Sequence, residues 1–207
     1  MIGRRAVLAG LACAGVAAAA TPPRILFLGD SLGSGFGLPD GAGLIPQLSR
    51  WLADHGSPAH LIDAALNGDT TFGGRVRLPF LIRRHRPDAV IIALGGNDML
   101  MGWPPGPSQA NLATMLRQTR GRPALLVGVQ APPGDAAWRA DWAAIWPHLA
   151  EQHSALMVRD IYAPLMVAPG RPDPEMVLAD GLHPSAKGVR RMTGTLGPSA
   201  AQLVRSV

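Results

Sequence analysis

Arg24-Ile25-Leu26-Phe27-Leu28-Gly29-Asp30-Ser31-Leu32-Gly33 is a short apolar run that stops on a polar, glycine-rich turn. A run of this length bounded by turn residues reads as a strand buried on both faces. Four more such runs follow, so strands are expected at 24–28, 60–64, 89–94, 124–129 and 156–160. Stretches of helical length and period separate them, predicting helices over 43–55, 73–86, 108–120, 137–152 and 185–204. Strands too apolar to face water, alternating with helices, require a parallel sheet covered on both sides. The fold class is therefore α/β, a three-layer α/β/α sandwich around a five-stranded parallel sheet. The Pro/Gly clusters at 103–107 and 168–174 read as loops within one domain.

The chain has 207 residues, 47% hydrophobic and 16% charged, which suits one packed domain and excludes disorder. Its net charge of +5 suggests nucleic acid at first. The N-terminus weakens that suggestion. Arg4-Arg5, the apolar stretch 6–20 and the small-residue end Ala18-Ala19-Ala20 have the plan of a secretory signal, too short to span a membrane comfortably. Residues 1–20 are thus expected to be a signal peptide, with the arginine pair resembling a twin-arginine signal, and 21–207 an exported domain, periplasmic or secreted. That segment takes with it two arginines and Cys13, the only cysteine, so no thiol nucleophile or cysteine-based metal site remains.

In an open parallel sheet, chemistry collects beyond the carboxyl ends of the strands. Three of those ends are polar: Gly29-Asp30-Ser31-Leu32 after the first strand, Asn67-Gly68-Asp69-Thr70 after the second, and Gly95-Gly96-Asn97-Asp98 after the third. Asp180-Gly181-Leu182-His183-Pro184 precedes the last helix. Each alone is an ordinary turn or cap. Together they supply a hydroxyl, a backbone N–H at a glycine, a side-chain amide and a carboxylate–imidazole pair, the parts of a serine hydrolase. Gly29-Asp30-Ser31-Leu32-Gly33 also satisfies G-x-S-x-G, but an α/β-hydrolase elbow follows several strands and here only one precedes it.

The four blocks resemble those of the SGNH or GDSL hydrolases, and the resemblance covers 25 to about 188. The family letters fall on Ser31, Gly68, Asn97 and His183. Within the family the chain is similar to exported bacterial thioesterases, arylesterases and lysophospholipases. The resemblance implies a flavodoxin-like sheet and hydrolysis of carboxylic esters or thioesters through an acyl-enzyme. It implies Ser31, Asp180 and His183 as catalytic residues, and Ser31, Gly68 and Asn97 as the oxyanion hole. No metal and no organic cofactor is needed. The expected partner is a small-molecule ester or thioester, with no nucleic acid; the residues say nothing about oligomeric state.

Met99, Leu100 and Trp103 follow Asn97 closely and are expected to bind an acyl or aryl group. Asp30, Asp69 and Asp98 read as loop fasteners, and Trp138, Trp142 and Trp146 as a helical stripe of core or pocket wall. Arg75, Arg77, Arg83, Arg84 and Arg86 read as a solvated face, with transient attraction to a membrane surface as the alternative. Two other functions stay open at this level: a carbohydrate deacetylase with the same catalytic parts, and a non-catalytic binding protein. A complete catalytic set argues against the second.

Overall fold

The computed structural model describes residues 21–207; the expected signal at 1–20 lies outside the described residues. Strands β1 (Arg24–Gly29), β2 (His60–Asp63), β3 (Ala89–Ala93), β4 (Ala124–Val127) and β5 (Leu156–Val158) form one sheet in the order β2-β1-β3-β4-β5. Every neighbouring pair is parallel; Leu26, for example, registers with Ile62 on one side and Val90 on the other.

Side chains alternate across a strand, so β1 supplies both cores. Ile25 and Phe27 point to the face covered by α2 (Leu44–Asp54) and α7 (Ala186–Arg205), against Leu48, Leu52, Val189 and Leu196. Leu26 and Leu28 point to the opposite face, covered by α3 (Thr71–His85), α5 (Pro105–Gln118) and α6 (Ala136–Gln152). Trp142 and Trp146 of α6 are buried in this second core. The tryptophan stripe is therefore core, and only Trp138 at its start is half-buried.

The five-stranded sheet and its helical layers are as expected, and the differences have local causes. The helix expected to begin at residue 108 begins at Pro105, because proline in the first turn has no N–H to leave unpaired. The expected loop 168–174 takes part in a two-stranded hairpin, β6 (Met166–Ala168) and β7 (Arg171–Pro172), between which Gly170 adopts φ +70°. Two strand-ending turns close into single helical turns, α1 (Ser31–Ser34) and α4 (Gly96–Leu100).

Close approach at the end of β4 requires a glycine. A Cβ on Gly128 would lie 2.3 Å from the Arg159 carbonyl oxygen and 2.9 Å from Trp146 Cγ. Gly128→Ala is expected to cost about 2 kcal/mol or more by overpacking, read as a lower urea midpoint. An unchanged midpoint would contradict this packing.

Because β1 lies between β2 and β3, the chain leaves β1 toward one side and returns on the other. The crevice this topology opens lies beyond the carboxyl ends of β1 and β3. Ser31 follows the first of these strands and Asn97 the second.

Candidate active site

Asp30 follows β1 and caps α1, its Oδ1 accepting the Leu32 N–H at 3.0 Å. That cap starts a helical turn at Ser31 and turns its hydroxyl to the crevice. His183 reaches it from a segment 152 residues later, with Nε2 2.9 Å from Ser31 Oγ. The other ring nitrogen, Nδ1, is 2.7 Å from Asp180 Oδ2. Asp180 Oδ1 also accepts the backbone N–H groups of Leu182 (2.9 Å) and His183 (3.0 Å), so one carboxylate shapes the loop and orients the ring. The hydrogen bond from His183, then the two backbone donors, hold the Asp180 carboxyl down at about 2, keeping it ionised across the neutral range.

The loop is fixed at both ends. Leu178 N–H donates to the His183 carbonyl at 2.7 Å, and Ser185 caps α7 by accepting the Gly188 N–H at 3.2 Å. Phe36 packs on the imidazole, ring centroids 4.5 Å apart.

Between β2 and α3, Gly68 occupies a turn closed by Asp69 N–H donating to the Leu66 carbonyl at 3.0 Å. Its φ of +74° is the constraint that demands glycine; a Cβ there would meet no protein atom within 4 Å. Asn97, in α4, donates from Nδ2 to the Asp69 carbonyl at 2.8 Å, with Asp30 Oδ2 a longer 3.3 Å away. Next to it Asp98 is fully buried and accepts from Thr71 N–H (3.0 Å), Thr71 Oγ1 (2.5 Å) and Ser108 Oγ (2.7 Å). α4 is thereby tied to the starts of α3 and α5, and Asn97 is aimed by buried hydrogen bonds rather than by its own turn. Asp69 pairs with Arg77, which also donates to the Ala64 carbonyl at 3.1 Å. Arg77 thus leaves the expected solvated cluster: it fastens the loop that carries Gly68.

Ser34, the other serine of this region, donates to Asn67 Oδ1 and lies exposed, with no imidazole beside it among the described residues. The three aspartates serve as fasteners, as expected, but Asp30 has a further property. Burial, reinforced by the Asp69 carboxylate, pushes its carboxyl up to about 6 against the N–H groups of Leu32 and Asp30 and the His183 charge. A folded value above the unfolded 3.8 means that the native state binds the extra proton. Stability is then lost as pH rises through the window from about 4 to 6, by up to about 3 kcal/mol. Asp30→Asn keeps the cap and removes the titration, so its urea stability should lack this fall; parallel pH profiles for the two proteins would refute it.

A cavity of about 250 Å³ opens beside Ser31 and His183. Met99 and Leu100 line it. Trp103 does not: it stands outside the lining, 39% exposed, its carbonyl accepting from Trp138 Nε1 at 3.1 Å. α4 ends between Leu100 and Trp103, and the chain turns outward there. Much of the remaining wall, including Val127, Ile161, Met166 and Val177, comes from strand ends and from the hairpin region, where no motif marks it in the sequence. Tyr162 also lines the cavity, its hydroxyl pushed up by burial and then by Asp30, Asp180 and Asp160. Its only sequence signal was its place just after β5. Among the described residues no cluster of three or more His, Cys, Asp or Glu side chains is placed to hold a metal ion, and no helix is long and apolar enough to cross a membrane. A serine bonded to a carboxylate-oriented imidazole beside an apolar cavity can carry out acyl transfer.

The profile of the GDSL-like Lipase/Acylhydrolase family matches residues 27–191. The chain is 32% identical to the Esterase TesA of Pseudomonas aeruginosa over 183 residues, covering 87% of this chain and 89% of that protein. It is 33% identical to an Arylesterase of Vibrio mimicus over 171 residues, covering 81% and 83% respectively. The crystal structure of TesA superposes with a TM-score of 0.80 at 32% identity, covering 87% of this chain and 99% of that one.

Proposed function

We infer, because this chain belongs to the GDSL-like lipase/acylhydrolase family and is an ester-hydrolysing enzyme of that type, that Ser31 is its nucleophile. The observation that carries the reading is the continuous relay from Ser31 through His183 to Asp180, at 2.9 and 2.7 Å, beside an apolar cavity. His183 Nε2 takes the hydroxyl proton as Ser31 Oγ bonds to the substrate carbonyl carbon. Asp180, ionised, favours the imidazolium that results. The tetrahedral intermediate collapses, the bond to the leaving alcohol or thiol breaks, and His183 returns the proton to it. Water then repeats the sequence on the acyl-serine, releasing the acid and restoring the hydroxyl.

The negative oxygen of the intermediate needs donors in place beforehand. We assign these as the N–H groups of Ser31 and Gly68 and Asn97 Nδ2. One Asn97 proton is committed to the Asp69 carbonyl; the other faces Asp30 only at 3.3 Å, a weak contact that a developing oxyanion can replace. No step calls for a metal or organic cofactor.

The cavity volume is at the low end for small-molecule sites, which favours a short or medium acyl chain or a single aryl group over a long chain held entirely within the protein. Oxygen esters and thioesters fit the same chemistry. The secretory pattern at 1–20 supports work outside the cytoplasm. A p-nitrophenyl ester series with acyl chains of increasing length tests the substrate class. Turnover should peak at short to medium chains; a peak at palmitate, or activity restricted to acetylated sugars, would overturn it. A fluorophosphonate should label the protein at Ser31, and labelling at Ser34 would overturn the nucleophile assignment.

A further inference from the structure

The outer line of α3 is apolar. Phe72, Val76 and Phe80, spaced by four, are 54%, 59% and 56% exposed, while the opposite side of the same helix buries Gly74, Leu78 and Ile82 in the core. An amphipathic helix of a water-soluble enzyme presents charge along that outer line. Here it presents two phenylalanines and a valine, flanked by arginines. Arg75 stacks its guanidinium 5.0 Å from the Phe72 ring, and exposed Arg83, Arg84 and Arg86 follow at the far end. α3 contains no acidic residue, and among the described residues Arg77 is its only arginine in an ion pair.

We propose that this face of α3 docks on an anionic lipid surface, with Phe72, Val76 and Phe80 entering the head-group boundary and Arg75, Arg83 and Arg84 contacting lipid phosphates. Charge complementarity selects the occupant: apolar residues beside unpaired arginines match an anionic bilayer interface. A second copy of the chain would set arginine against arginine across a symmetric contact, which is repulsive. The docked face is also well placed for catalysis. Thr71, the residue before Phe72, is held to Asp98 at 3.0 Å, and Asp98 adjoins Asn97, so the apolar line starts at the catalytic edge of the sheet. An ester at the interface would meet the crevice without the enzyme leaving the surface.

Binding is separable from hydrolysis. Sedimentation with vesicles of diether phosphatidylglycerol and phosphatidylcholine, which contain no ester for the enzyme to cleave, reads docking alone. The protein residues 21–207 should cosediment with anionic vesicles and much less with pure phosphatidylcholine. Arg83→Gln with Arg84→Gln should lower partitioning about fivefold per arginine. Phe72→Ser with Phe80→Ser should lower it by about tenfold or more. Both double variants should keep the wild-type rate on a soluble p-nitrophenyl ester, which also shows that they fold. Absence of cosedimentation overturns the proposal, as does equal binding to neutral vesicles, variants that bind like wild type, or a dimer in solution that the Phe72/Phe80 variant dissolves. Failure of the esterase assignment would appear only in the soluble-ester rate.

Discussion

Ser31→Ala is expected to lower kcat on a p-nitrophenyl ester by on the order of 10⁴–10⁶-fold, leaving the fold intact. The size follows from how the relay is built. His183 Nε2 has one partner among the described residues, Ser31 Oγ at 2.9 Å, and Asp180 holds the opposite nitrogen. With the hydroxyl gone, no acyl-serine forms, and the imidazole is left to assist direct attack by water. What remains is the contribution of the oxyanion donors and the cavity. The packing around the residue is kept, because Asp30 still caps α1 and a methyl group fits where the hydroxymethyl was. Thermal unfolding should therefore coincide with wild type. Retention of more than about a hundredth of wild-type kcat by the purified variant would remove Ser31 from the nucleophile role.

Asn97→Ala should cost on the order of 10²–10³ in kcat with little change in KM. An oxyanion donor meets the substrate oxygen as charge develops on it, so losing one raises the barrier more than it weakens ground-state binding. The variant also strands the Asp69 carbonyl, which accepts from Asn97 at 2.8 Å in a half-buried hydrogen bond, and losing a bond of this kind costs about 1 kcal/mol of stability. The two effects separate by measurement: kcat reports the oxyanion donor, and the urea midpoint reports the carbonyl. A kcat within a few-fold of wild type, alongside a lowered midpoint, would make Asn97 a structural residue only.

Most of the fold was legible along the chain. Buried parallel strands are short, apolar and bounded by turns, so the first run, at 24–28, already had the character of all five. Boundaries were less legible, as at Pro105, where a loop-like composition conceals a helix start. The site divided along similar lines. The places of Ser31, Gly68, Asn97, Asp180 and His183 were readable because each stands in a motif whose residues also build its turn: Asp30 caps the turn that carries Ser31, and Asp180 both shapes the loop and holds the His183 ring. Trp103, Arg77 and the face of α3 were not. Trp103 follows Asn97 in sequence, yet α4 ends before it and turns the chain away from the cavity. Arg77 is one cation among five along the chain, and only the fold sets Asp69 beside it. Phe72, Val76 and Phe80 belong to a helix apolar on two sides, where periodicity cannot tell which side meets the sheet.

Residue type and spacing within one element were enough to set the layers and to place a hydroxyl, an amide and a carboxylate–imidazole pair in the turns around the sheet. The tertiary structure alone decided which side of α3 faces solvent, which residues wall the cavity, and that His183 stands 2.9 Å from a serine 152 residues earlier. Those depend on how helices pack against a sheet whose order reverses beside β1. That packing is set by the summed burial of two cores, and no single stretch of chain encodes it.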